Sequence, residues 1–235
     1  MEPKWQMPLN LGDRKVEVLS EGWYVHFRCQ EPGLSFPWEQ IVRRDGNINA
    51  VKVLVIVVPP DTALEGRMTP VEVIHRCGPQ HCSVLLIHEK RPYPALIKGA
   101  PSGPLCELPG GIVEAEDVTI SSAAVREFLE EIKMRGGRLV AQRELLSVPS
   151  PADSAAHLEA YALYSVVYQG DTADIGGLDE GITRCEVLSL ATAYHILKAR
   201  HEARAQCVEL KSLLALLMLE HEYLDRYGQA LFRPV

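Results

Sequence analysis

ELPGGIVEAEDVTISSAAVREFLEEIKM, residues 107 to 134, is the stretch that decides the fold of this chain. Its second half predicts a helix over about residues 120 to 135, because apolar residues recur at i, i+3, i+4 and i+7 from Val125 to Ile132. Three glutamates lie on the opposite face at i, i+3 and i+4: Glu127, Glu130 and Glu131. One face of the helix is therefore suited to a core and the other concentrates negative charge.

A Leu-Pro-Gly-Gly turn, residues 108 to 111, precedes this helix and changes how the acidic face is interpreted. On an isolated helix, three glutamates indicate a solvated surface, since glutamate is a good helix former. Here the glycines let backbone approach the carboxylates closely. Crowded carboxylates repel one another unless a hard cation lies among them, and Mg²⁺ takes oxygen ligands. The sequence therefore predicts a metal site for phosphate chemistry.

The same stretch resembles the Nudix box, the signature of the Nudix hydrolases. Residues 126 to 131, REFLEE, match its catalytic half at every specified position, and Gly111 stands where the opening glycine belongs. One extra residue before Arg126 leaves Glu116 or Asp117 as the first acidic position. We expect the helix to start near Ser121 or Ser122. Because Lys133 replaces the late glycine, the helix should run on to a left-handed cap at Gly136-Gly137.

Other segments resemble the ADP-ribose pyrophosphatases within this family. They are LSEGWYVHFRCQEPGLSFPWEQIVRR at 19–44, LLIHEKRPYP at 85–94 and SVPSPADSAAHLEAYAL at 147–163. The resemblance spans roughly residues 17 to 168. It implies an α/β fold, the Nudix-type α/β/α sandwich with a mixed sheet, a small N-terminal antiparallel β domain and C-terminal helices. It also implies hydrolysis of ADP-ribose or a related nucleoside diphosphate sugar to AMP and a sugar phosphate.

The resemblance further implies which residues form the site. The metal ligands would be Glu127, Glu130, Glu131 and the Gly110 carbonyl, for Mg²⁺ or for Mn²⁺ in its place. Arg126 would orient these carboxylates, since arginine forms bidentate pairs with them.

Substrate contacts are implied in the same way. Arg91 would bind phosphate, although a lone surface arginine is an equal alternative. Trp38, with Trp23 or Tyr24, would stack on the adenine, although core packing of one of these rings is an equal alternative. Arg43 would reach phosphate or ribose, although a solvated Arg43-Arg44 pair is the default alternative. The family's loop glutamate aligns with Ala156, so Asp153, Glu159 or a water held by Glu130 or Glu131 remain alternatives for the catalytic base.

Composition bounds the function further. The 235 residues are 47% apolar and 23% charged, with a net charge of −7, which argues against a nucleic-acid partner. The six cysteines form no tight framework, and no apolar run reaches the length of about 20 residues that crosses a bilayer. The N-terminal residues lack an apolar signal core. We therefore expect a cytoplasmic, or alternatively nuclear, protein with reduced thiols and no membrane contact.

The chain is predicted to divide into an N-terminal β domain, residues 1–48, and a Nudix domain, residues 49–235. Strands are expected at 15–29, 38–44, 51–58, 71–74, 83–87, 138–148 and 158–168, a polar loop at 169–181, and helices from 188 to 227. The apolar residues from Leu213 to Leu219 would pack on the sheet or form a subunit interface. His75, Cys77, His81 and Cys82 fit no common zinc spacing and favour a turn between two strands.

We expect a homodimer in which residues 1–48 contribute aromatic rings and the substrate clamp to the partner's site. Two alternative functions remain. One is a Nudix hydrolase of another nucleotide, such as a dinucleoside polyphosphate, a cap or an oxidised nucleotide. The other is a non-catalytic nucleotide-binding or RNA-binding protein on the same scaffold, which Lys133 and the missing loop glutamate favour and the intact carboxylates oppose.

Overall fold

The computed structural model describes residues 15–21, 24–30, 38–43, 48–90, 103–114, 116–154 and 157–233. Its architecture is α/β with a mixed sheet and C-terminal helices, as the sequence predicts. The strands are β1 Lys15–Glu21, β2 Tyr24–Gln30, β3 Trp38–Arg43, β4 Ile48–Val58, β5 Ser83–Glu89, β6 Leu105–Glu107, β7 Gly110–Ile112, β8 Ile132–Met134, β9 Arg138–Ser154, β10 His157–Gln169, β11 Ile175–Leu178 and β12 Ile182–Ser189. The α-helices are α1 Pro70–Cys77, α2 Ile120–Glu131, α3 Leu190–Glu202 and α4 Leu210–Tyr227.

One compact unit comprises residues 1–50 and 147–162. In it β1, β2 and β3 form an antiparallel meander, so the predicted N-terminal antiparallel strands are confirmed. The first residues of β10 pair with β3 in parallel, Leu158 opposite Val42. The chain returns from residue 147 to complete this unit, and sequence patterns near the N-terminus gave no sign of that return.

The second unit comprises residues 51–146 and 163–235, and its sheet has the order β10-β4-β5-β12. Strand β5 is antiparallel to β4, β12 and β6, while β7 pairs with β4. The apolar run of β4 is buried at Val51 and from Val53 to Val58, as expected for a strand covered on both faces. The Gly-Gly turn lies against β4 of this sheet.

Helix α1 replaces the strand predicted at 71–74, and that prediction was wrong. Thr69 and Glu72 form a capping box, and Pro70 occupies the first turn, where its missing N–H costs nothing. Gly78 ends the helix at φ 86°, and residues 79–81 form a short 3-10 helix. His75 is therefore helical. Its Nδ1 lies 3.1 Å from the Tyr223 hydroxyl, which explains the histidine without zinc.

Helix α2 starts one residue after Thr119, which serves as N-cap in place of the expected Ser121 or Ser122. It ends at Glu131 and does not run on to Gly136-Gly137, so the predicted extension is wrong. Ile132 is buried, and β8 pairs with β11 from the segment predicted as a loop at 169–181. Strand pairing and burial of Ile132 therefore end the helix where the sequence offers no glycine.

The two C-terminal helices confirm the predicted helical region, and residues 203–209 separate them. Helix α4 packs against α1 and α3 through buried residues that include Leu216, Leu219 and Tyr223. Its other face exposes a row of leucines: Leu210, Leu214, Leu217 and Leu224. Among the described residues, no helix is long and apolar enough to span a membrane. The five cysteines whose side chains the structure describes are free thiols.

Candidate active site

The Gly-Gly turn lies against β4 and α2, where a side chain at either glycine would collide with a neighbouring group. Val53 N donates to Pro109 O at 2.8 Å, which fixes the turn on the central strand. A Cβ on Gly110 would stand 2.1 Å from Val51 O, at a φ of +158°. A Cβ on Gly111 would stand 2.4 Å from the nearest carboxylate oxygen of Glu127. Both glycines are therefore needed so that β4, the turn and α2 can approach one another.

Two of the three glutamates on α2 face this turn. Gly110 N donates to Glu131 Oε2 at 2.8 Å, and the Glu127 carboxylate lies directly over Gly111. Glu130 points further out, with 56% of its side chain exposed. The structure thus brings Gly110, Glu127 and Glu131 together, with Glu130 at the solvent side, as the sequence predicts for their positions. Their role as metal ligands stays a prediction.

Arg126 holds these acidic groups in place through five hydrogen bonds. It donates to both Asp117 oxygens at 3.2 and 2.8 Å, to Glu127 and Glu130 at 2.9 Å each, and to Ile112 O at 2.8 Å. The sequence left Glu116 and Asp117 as alternatives; Asp117 makes the contact, and Glu116 is exposed. These bonds hold the pKa of Asp117 below its ordinary value. The guanidinium is thereby arranged to orient carboxylates.

Burial of Glu131 and Glu127 disfavours their ionised forms. It raises the pKa of Glu131 to about 7, and the neighbouring carboxylates Glu127 and Glu107 add to the rise, against the Gly110 N–H bond and the charge of Lys52. Burial also raises the pKa of Glu127. A divalent cation would supply the missing positive charge, and the donor set is hard oxygen, which suits Mg²⁺ or Mn²⁺. The residues present therefore fit a divalent metal.

Sequence reasoning missed Lys52 and Glu107, which lie directly behind the turn. The Lys52 ammonium contacts the Glu107 carboxylate and lies 3.2 Å from Leu108 O. Only 2% of the Glu107 side chain is exposed. The signal was present, since Lys52 interrupts the apolar run VKVLVIVV of a strand predicted to be buried on both faces. A charged residue at such a position requires a buried partner.

The predicted substrate residues cannot be assembled in the same way. Trp23 and Arg91 lie outside the described residues, as do Ala156 and the side chains of Asp153 and Glu159. For Trp38, Tyr24 and Arg43 the structure describes the backbone alone: Trp38 begins β3, and Tyr24 pairs with Arg43 across β2 and β3. Their contacts with substrate stay predictions.

A second polar cluster joins β5, β6, β12 and α3. His88 Nε2 lies 2.8 Å from Glu186 Oε2, with the Cys106 thiol nearby. Arg200 donates to both Glu186 oxygens at 2.8 and 2.7 Å, and Gln206 Nε2 lies 2.8 Å from His88 Nδ1. Bonds from Arg200 and His88 lower the pKa of Glu186 to about 2. Because both ring nitrogens of His88 and both carboxylate oxygens of Glu186 are already engaged in hydrogen bonds, the cluster is explained as a buried hydrogen-bond network.

Comparison with known proteins places this geometry in a family context. Residues 67–209 match the family model described as NUDIX domain. A solved structure described as ADP compounds hydrolase has TM-score 0.53 and 15% identity, covering 91% of this chain and 94% of that chain. The NUDIX domain of Shewanella oneidensis NrtR, complexed with ADP ribose, has TM-score 0.43 and 11% identity, covering 74% and 86%.

A third solved structure, the C. elegans Ap4A hydrolase binary complex, has TM-score 0.41 and 12% identity, covering 76% of this chain and 98% of that chain. No curated protein matches the sequence. At 15% identity the likeness to the ADP compounds hydrolase structure shows the fold alone.

Proposed function

The chain belongs to the Nudix family, and from this premise we propose that it hydrolyses the pyrophosphate bond of ADP-ribose or a related nucleoside diphosphate sugar with Mg²⁺. The products would be AMP and a sugar phosphate. The observation that carries the proposal is the placement of Glu127 and Glu131 against Gly111 and Gly110, with Arg126 bonded to Glu127 and Glu130.

Glu127 and Glu131 would hold the divalent ion, with Glu130 and the Gly110 carbonyl as further oxygen ligands. The bound ion would neutralise charge on the pyrophosphate oxygens and make a water nucleophilic near neutral pH. Arg126 keeps Glu127 and Glu130 in fixed orientations, so the carboxylates need no rearrangement during the reaction. The attacking water must lose a proton to a base. Glu130 is the most exposed carboxylate among Glu127, Glu130 and Glu131, and Asp153 and Glu159 stay alternatives for this role.

The choice of an ADP-sugar substrate rests on the sequence resemblance of residues 19–44, 85–94 and 147–163 to the ADP-ribose pyrophosphatases. Residues 1–48 would supply the aromatic clamp, with Trp38 and either Trp23 or Tyr24 on the adenine and Arg43 on phosphate or ribose. Arg91, from the Nudix domain, would bind phosphate. We further propose that the protein acts as a cytoplasmic homodimer.

Turnover of a panel of nucleotides tests the proposal. The panel contains ADP-ribose, other nucleoside diphosphate sugars, dinucleoside polyphosphates, a cap analogue and oxidised nucleoside triphosphates, each with Mg²⁺ and with EDTA. We expect kcat/KM to be highest for ADP-ribose or another nucleoside diphosphate sugar, and turnover to vanish with EDTA. Preference for another class of nucleotide would contradict the proposed substrate. Binding of nucleotides without turnover of any of them would contradict the proposed hydrolase and indicate a nucleotide-binding protein.

A further inference from the structure

Lys52 is a buried cation in the centre of β4. Its side chain is 11% exposed, and its ammonium contacts the Glu107 carboxylate and lies 3.8 Å from Glu209 Oε2. Both neighbours along the strand, Val51 and Val53, are completely buried. An ammonium group in such surroundings is retained only with carboxylate partners.

Lys52 and the predicted metal ligand Glu131 both lie against Gly110. The Lys52 side chain packs against this glycine, its Cδ 2.9 Å from where a Cβ of Gly110 would stand. From the other direction, Gly110 N donates to Glu131 Oε2 at 2.8 Å. The ammonium also lies 3.2 Å from Leu108 O, two residues earlier in the same turn. Lys52 and Glu131 thus approach opposite parts of one backbone segment, and their charges attract one another.

Stability alone does not account for this lysine. Removing a charge from water costs several kcal/mol, and a buried ion pair regains that cost only with good geometry. Apolar residues of similar volume are often as stable at such positions. The turn is also fixed without Lys52, because Ser212 Oγ accepts from Leu108 N at 3.0 Å and Val53 N donates to Pro109 O at 2.8 Å. A role in the neighbouring site is the better explanation.

We propose that Lys52 is a positioning residue whose fixed positive charge, balanced by Glu107, sets the affinity of the Glu127–Glu131 site for its divalent cation. This inference rests on the metal site of the proposed function. The ammonium attracts Glu131 and repels an incoming cation, so it limits how tightly the metal is held. Glu107 offsets that repulsion from its position beside Lys52.

The proposal predicts shifts of opposite sign for the two partners. Lys52→Met removes the repelling charge and should tighten binding of the cation. Glu107→Gln keeps the shape and an oxygen that accepts from Lys52 but removes the balancing charge, so binding should weaken. Shifts of about tenfold in the dissociation constant are expected in each direction, because the effect of one unit charge near the site is partly screened by protein and solvent. A residue that merely supported the fold would weaken binding in both variants.

The experiment is Mn²⁺ titration of the full-length protein at pH 8, followed by electron paramagnetic resonance and by calorimetry. Wild type is compared with Lys52→Met, Glu107→Gln and the double variant, in which both charges are absent. We expect the double variant to return to within about threefold of wild type. Arg226→Met is the matched control, since it removes a positive charge paired with Glu72 between α4 and α1, and it should leave the affinity unchanged.

Weaker Mn²⁺ binding in both single variants, or unchanged affinity in both, would overturn the proposal, as would wild-type protein that binds no Mn²⁺. The readout is independent of turnover, so the two proposals fail separately. Opposite shifts in a protein that hydrolyses no nucleotide would uphold the role of Lys52 and overturn the hydrolase. Turnover with unshifted Mn²⁺ affinities would do the reverse.

Discussion

Glu131 is the residue on which the proposed metal site depends most. It is the carboxylate of α2 that bonds the Gly110 backbone, and it is held between the positive charge of Lys52 and the negative charges of Glu127 and Glu107. Its environment favours the neutral form, which explains why a divalent cation would bind there with a large gain in electrostatic energy. Changes at this one position should therefore affect activity and stability in opposite directions.

Glu131→Gln should lower kcat by about 100-fold or more, because it removes one negative charge from the metal site and leaves the apolar face of α2 intact. The comparison is made at saturating Mg²⁺ with ADP-ribose. Glu222→Gln, which removes the partner of Arg143 instead, serves as a control and should retain activity. Near wild-type kcat in Glu131→Gln would remove Glu131 from the catalytic site.

The same variant should be more stable than wild type when both are free of metal. The pKa of Glu131 is raised to about 7 from an ordinary value of 4.5, so ionisation opposes folding. The free energy of unfolding of the wild type should fall as pH rises from about 4.5 to 7 and then level off. The loss is bounded by about 3 kcal/mol, at about 1.4 kcal/mol for each pKa unit.

Urea unfolding of both proteins in EDTA, from pH 5 to pH 8, measures this difference. Glu131→Gln should lack that part of the pH dependence and exceed wild type most clearly at pH 8. Parallel curves for the two proteins across this range would show that the carboxylate titrates normally.

At the scale of elements, the site depends on how closely α2 approaches β7. Gly111→Ala would place a Cβ 2.4 to 2.5 Å from the Glu127 carboxylate group, which must then move away from the turn. We expect weaker Mn²⁺ binding, by about tenfold, with little change in the urea midpoint, because the group displaced is the flexible end of a side chain. Gly177→Ala is the control, since its added Cβ meets only Lys133 Cδ at 3.8 Å. Equal Mn²⁺ affinity in the two variants would contradict the observed approach.

Some features of the helices follow from local sequence patterns and others do not. The spacing of Glu127, Glu130 and Glu131 follows from helix periodicity, so their common face was predictable from 28 consecutive residues. The end of α2 was not, because it depends on pairing of β8 with β11, more than 40 residues later. Helix α1 was misread for a different reason: VEVI has strand-forming residues, and the capping box at Thr69 and Glu72 overrides that preference.

Lys52 illustrates a third limit. The sequence shows a lysine within an apolar strand, but its partners Glu107 and Glu209 come from β6 and from the residue before α4. Tertiary structure alone brings these three charges together. Local patterns therefore mark Lys52 as unusual but do not identify its partners.

At the scale of the whole molecule, the substrate clamp predicted in residues 1–48 is tested through Trp38. Trp38→Ala should raise KM for ADP-ribose much more than it lowers kcat, because stacking on the adenine is made equally in the ground and transition states. Steady-state kinetics on a variant with wild-type circular dichroism provides the measurement. An unchanged KM would exclude Trp38 from the substrate site, and a fall in kcat alone would assign it to positioning.

The proposed homodimer makes a stronger demand, that residues 1–48 of one subunit complete the site of the other. Residues 1–50 form only a small unit with residues 147–162 of the same chain, and a two-fold axis would bury further surface of this unit on both subunits. Sedimentation at low micromolar concentration should give a dimer. Subunits carrying Trp38→Ala are then mixed with subunits carrying Glu131→Gln. If the site is shared, each heterodimer pairs one site bearing both changes with one site bearing neither, so about half of the mixed population should regain a working site. Activity that stays at the sum of the two parents, or an active monomer, would show that each subunit completes its own site.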